Sequence, residues 1–160
     1  MGNSLGKDVA GNIGALYALA STAVTAGGSG DATLITGTTI NTAALQTAPA
    51  VYAKDFASVA FVVAGTATLA ATKSITVTAL IEDSADGSSW ATKVASATIV
   101  SVTSSGGGTV TFTGKIGVDL TACRQYVRVK ATPDLSATGT DTATVFGVAV
   151  LGGPTDLPVA

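Results

Sequence analysis

Residues Arg124-Gln125-Tyr126-Val127-Arg128-Val129-Lys130-Ala131 set small apolar side chains between long polar or aromatic ones in strict alternation from Tyr126 onward. Successive side chains of a strand point to opposite faces. The stretch therefore predicts a strand with Val127, Val129 and Ala131 in a core and Arg124, Tyr126, Arg128 and Lys130 on the outer face. The same period governs Ser74 to Glu82, where Ile75, Val77, Ala79 and Ile81 face one way and Thr76 and Thr78 the other. It returns at Val110 and Phe112 after Gly106-Gly107-Gly108. Val59 to Val63 and Val145 to Leu151 carry apolar residues at both parities and predict central strands covered on both sides. Further β runs fall near Thr33 to Thr36 and Ala95 to Val102, with turns at Gly27 to Gly30, Ser84 to Ser89, Ser104 to Gly108 and Pro133 to Gly139. The expected fold is all-β: an antiparallel sandwich of about seven or eight strands, jelly-roll-like or immunoglobulin-like.

Upstream the texture changes. Residues 1–50 hold only Lys7, Asp8 and Asp31 as charges and are rich in Ala, Thr and Gly, which reads as an N-terminal arm with the first strand or strands, followed by a sandwich over 51–160. Val9, Ile13, Leu16, Tyr17 and Ala20 stand at helical spacing, yet Gly11 and Gly14 would each cost about 1 kcal/mol in a helix interior. A short helix and an extended arm both remain open. Leu5, Val9, Ile13, Leu16 and Tyr17 form an apolar set suited either to a partner or to packing on the chain's own domain.

Composition narrows the chemistry. In 160 residues there are eight Lys and Arg against ten Asp and Glu, 11% charged where an ordinary soluble domain carries about 25%, so much of the surface is expected to be covered in use. The absence of His removes Ser–His and Cys–His catalysis and His-ligated metals. A net charge of −2 offers no footprint for nucleic acid. One cysteine, Cys123, excludes an intrachain disulfide and a thiolate zinc cluster, and reads as a buried structural thiol. No stretch is apolar for the length a membrane span needs, and Asn12 with two glycines breaks the weak signal-peptide-like core of Val9 to Ala20. No cofactor, metal, nucleic-acid or membrane partner is expected.

Two catalytic strings fail on context. Gly2-Asn3-Ser4-Leu5-Gly6 spells a nucleophile elbow with no strand before it and no His to take the proton, and Ser4-Leu5-Gly6-Lys7 lacks the companion strings of its class. Glu82, Asp83 and Asp86 beside Gly87 supply too few oxygens for calcium, which takes six to eight, and a hairpin turn explains them better. Trp90 is expected to anchor the core or its rim. The cationic row Arg124, Tyr126, Arg128 and Lys130 is either a solvated strand face or a contact with an acidic or carbonyl-rich protein surface.

Three segments in order, Asp83-Ser84-Ala85-Asp86-Gly87-Ser88-Ser89-Trp90, Arg124-Gln125-Tyr126-Val127-Arg128-Val129 and the apolar run ending Leu151-Gly152-Gly153-Pro154, resemble small β-sandwich proteins of tailed bacteriophages regarded as capsid decoration or cement proteins. The resemblance spans about Lys54 to the C-terminus. It implies a structural virion component without catalytic residues, made in the host cytoplasm and placed on the capsid surface. There it would clamp neighbouring major capsid subunits as a homotrimer or dimer. The rival readings are a phage tail-tube or tail-tip protein, and a secreted adhesin or carbohydrate-binding β domain. The last is disfavoured by an aromatic content of 5% with a single Trp.

Overall fold

The computed structural model describes residues 13–43, 56–137 and 139–154. Nine antiparallel strands form two stacked sheets. Sheet A takes β1 (Ile13–Thr25), β9 (Thr142–Pro154), β4 (Phe56–Leu69) and β7 (Gly108–Asp119) in that order. Sheet B runs from β2 (Ile35–Thr36) through β8 (Tyr126–Leu135) and β5 (Ser74–Ser84) to β6 (Trp90–Thr103), with β3 (Ile40–Asn41) also pairing β8. The all-β antiparallel sandwich expected from the period-two runs is the fold observed. Among the described residues the strands number nine because β2 and β3 are two-residue pieces, and β3 is too short to register as an alternating run.

The inward parity of each long strand supplies the core. Val127, Val129 and Ala131 of β8 are fully buried, as are Ile75, Val77 and Ile81 of β5. Opposite them lie Phe61 and Val63 of β4 and Val145, Ala149 and Leu151 of β9. Each fully buried Val, Leu, Ile or Phe contributes about 1.5–3 kcal/mol relative to exposure, so the alternation itself holds the sheets together.

Residues 13–25 are strand rather than helix. Ile13 pairs with Gly152 and Thr25 with Thr142 along the edge of sheet A. Register shifts between Tyr17 and Leu19 and between Leu19 and Thr22 interrupt the two-residue period, so the consecutive Ala18 and Leu19 are both buried. The helix-like spacing lies before them, where Ile13 to Tyr17 pair in unbroken register with Ile13 and Tyr17 outward and Leu16 inward, so apolar residues at both parities imitate a helix.

The two sheets meet along one seam where Gly37 donates its N–H to Val129 O at 2.9 Å and Thr38 donates to Ala18 O at 2.7 Å. A Cβ at Gly37 would stand 2.5 Å from Ala18 O and 2.7 Å from Val129 O, so only glycine lets the backbones approach there. The turn expected from Pro133 onward begins later, because β8 continues to Leu135. Pro133 O accepts from Ala32 N at 2.9 Å. The N and C=O of one strand residue project to the same side, so the donor that proline lacks faces this loop rather than β5.

Candidate functional site

The outward parity of sheet B gathers the charges. Glu82 on β5 stands directly across from Arg128 on β8 and diagonally from Lys130. Arg128 Nε donates to Glu82 Oε2 at 2.8 Å and Lys130 Nζ to Glu82 Oε1 at 3.0 Å, with all three side chains more than four-fifths covered. The Arg128 guanidinium also lies 3.8 Å from the centre of the Trp90 ring. Burial works to raise the Glu82 carboxyl, but the hydrogen bonds from Lys130 and Arg128 and their charges outweigh it and hold it below the usual carboxylate range.

Arg124 leaves that row, because β8 begins at Tyr126 and Arg124 precedes it after a 3-10 turn at Leu120–Ala122. Its backbone N–H donates to Asp83 Oδ2 at 3.0 Å and its guanidinium to Asp83 Oδ1 at 2.6 Å and to Asp83 O at 2.8 Å. Asp83 occupies the inward parity of β5 and is buried; its bonds with Arg124 depress its pKa and raise that of the guanidinium.

The three carboxylates that sequence places together thus go separate ways. Asp86 closes the hairpin, accepting from Ser89 N at 2.7 Å and Ser88 N at 2.9 Å, which drive its pKa far down. Gly87 provides the positive φ of 75° beside it. Among the described residues no group of three His, Cys, Asp or Glu side chains comes together as a metal site. Cys123 is partly buried, with its thiol pushed up by that burial and donating to Asp119 O at 3.2 Å. Leu5 and Val9 lie outside the described residues, as do both catalytic strings.

Sheet A presents a different outer face. Its outward rows read Tyr17, Val148, Val62, Lys115 and, one step along, Ala15, Val150, Ala60, Gly117. Ile13, Tyr17, Phe146 and Val148 are 45%, 58%, 45% and 38% exposed, four of the five exposed large apolar residues among those described. Leu16 points inward and packs on the core, which separates it from Ile13 and Tyr17. Toward the other end the rows turn to threonine: Thr25, Thr142, Thr68 and Thr109 lie side by side, with Thr66 and Thr144 in the next row. These surround a shallow depression of about 270 Å³ whose lining holds no titratable group.

Among the described residues the central strands β4 and β9 are therefore covered on one side only. The expectation of cover on both sides is corrected here: among the described residues no element packs over the outer face of sheet A.

Fold and faces together define an all-β sandwich with one polar, internally paired face and one apolar, open face. No protein-family model matches the chain, and no curated protein matches it. Among solved structures it is similar to that of infectious bursal disease virus Gt strain, with TM-score 0.49 and 12% identity, covering 92% of this chain and 34% of that one. The Gx strain of the same virus gives TM-score 0.47, 12% identity and the same coverage. The VP2 subviral particle gives 0.42 and 9%, covering 91% of this chain and 34% of that one. The chain spans about a third of the length of these proteins, and the likeness is one of strand arrangement alone.

Proposed function

We propose that the chain is a non-enzymatic structural protein of a tailed-phage virion, one that binds the outside of the capsid and cements neighbouring major capsid subunits. The observation that carries this reading is the open apolar face of sheet A in a chain with 11% charged residues. Apolar area removed from water contributes about 25 cal/mol per Å², which stabilises association without any chemistry. Repetition of the contact over a lattice multiplies it through avidity. The paired charges of sheet B fit the same reading, since they stabilise the sandwich and are not arranged as an acid and a base around a cleft. Ile13 and Tyr17 are the members of the N-terminal apolar set that face outward, and Arg124 with Tyr126 are proposed as rim contacts.

Cryo-microscopy of undecorated capsids of the parent phage mixed with the purified chain tests this. Added density on the outer surface, bridging adjacent subunits, is expected, and bare shells at saturating protein would refute it. The role of the leading segment is tested by removing residues 2–12, because a longer deletion through residue 20 would take most of β1 with it.

A further inference from the structure

The open face has an internal symmetry that suggests what covers it. The row Tyr17, Val148, Val62, Lys115 runs from β1 through β9 and β4 to β7. Consider a two-fold axis parallel to the strands and midway between β9 and β4. It exchanges β1 with β7 and β9 with β4 and keeps every row at its height. Val148 of one copy then lies over Val62 of the other, and Tyr17 over Lys115. The row Ala15, Val150, Ala60, Gly117 likewise meets its own reverse without a charge.

The placement of charge fits this axis. On the outward parity of the four strands the charged residues are Lys115 and Asp119, both on β7. Neither meets its own copy. Lys115 falls over an aromatic ring, which a cation accepts. Asp119 ends the row of Ile13, Gly152 and Ser58 and falls at the corner over Ile13 of the other copy, its carboxylate already held by Thr121 N at 2.8 Å and Thr121 Oγ1 at 2.7 Å. An axis running across the strands would instead set the apolar half of the face over the threonine half.

Area agrees. Four strands about 4.8 Å apart and six two-residue steps of about 6.8 Å span about 800 Å². A standard specific interface buries about 800 Å² on each partner.

We propose that the outer face of sheet A joins two copies of this chain, face to face about a two-fold axis parallel to the strands. The proposal rests on the reading that this face is covered in the virion, and names its cover. A pair so formed carries two of every remaining surface, so a grip on one capsid subunit is tethered to a grip on its neighbour.

Sedimentation equilibrium on the full chain is expected to give twice the 15.5 kDa chain mass at micromolar concentration. Val148→Asp is expected to weaken association at least about 100-fold with unchanged circular dichroism, since it buries a charge in the contact and none in the fold. In a Cys123→Ser background, Tyr17→Cys with Lys115→Cys is expected to yield a covalent dimer with a bismaleimide about 8 Å long, since facing sheets stack about 10 Å apart and the facing side chains close part of that gap. Within one copy these positions are three strand spacings, about 14 Å, apart, beyond the reach of that linker. Thr68→Cys with Lys115→Cys is expected to yield none.

A monomer at about 100 μM, a trimer, or a dimer untouched by Val148→Asp would overturn the proposal. A monomer that decorates shells through a Val148-dependent contact would overturn the pairing and leave the cement role standing. A dimer that ignores shells would support the pairing and remove the cement role.

Discussion

The two sheets of this sandwich bury similar alternating stripes and differ in what they turn outward. Sheet B sets Glu82 between Arg128 and Lys130, lays Arg128 on Trp90 and spends its polar groups on itself. Sheet A sets Tyr17, Val148 and Phe146 on its surface beside threonines. The first arrangement stabilises one copy of the chain. The second leaves large apolar side chains exposed, and on the proposed reading their burial is realised only when another protein arrives.

The sharpest way to break that contrast is to remove the hub of sheet B. Glu82→Ala leaves two largely covered cations without their partner and is expected to lower unfolding free energy by about 3 kcal/mol in urea denaturation. Next, Gly37→Ala forces the seam between the sheets apart and is expected to cost about 2 kcal/mol by the same measurement. Acid comes third. Glu82 and Asp83 have carboxyls held below their ordinary values, so their contribution is present above the unfolded carboxylate range of about 4 and is lost as pH falls through the lower folded values. Thermal melts should therefore be flat from neutral pH to about pH 5 and fall below it, and Glu82→Ala should flatten that fall. The smallest effect sharpens the contrast most: Val148→Thr on sheet A is expected to move single-copy stability by no more than about 0.5 kcal/mol while it reduces association.

Much of the fold could be read because two-residue alternation is a local property of the chain. Val127, Val129 and Ala131 enter the core as the opening stretch predicts, and the Asp86-Gly87 hairpin lies where its residues say. What escaped depends on distance. Arg128 and Lys130 of β8 are matched by Glu82, and Arg124 before it by Asp83, each carboxylate more than forty residues earlier, which no local pattern announces. β1 imitates a helix because it carries apolar residues at both parities, Ile13 and Tyr17 outward and Leu16 inward.

The open face left a signal in Val145-Phe146-Gly147-Val148-Ala149-Val150-Leu151, apolar at both parities. That pattern reports that both sides of a strand avoid water. It does not distinguish cover supplied by the same chain from cover supplied by another, and the described residues supply only the inner half.

The central claim is that the outer face of sheet A is covered by another protein, and that the pair it forms doubles the grip of the remaining surfaces on the shell. It is tested most directly by saturation binding to undecorated capsids with three proteins: the native chain, Thr76→Ala on sheet B and Val148→Asp on sheet A. The native chain and Thr76→Ala are expected to decorate at concentrations within about threefold of each other, and Val148→Asp, which loses the tether between paired copies, to need at least about 100-fold more. Equal decoration by Val148→Asp and the native chain would contradict the account.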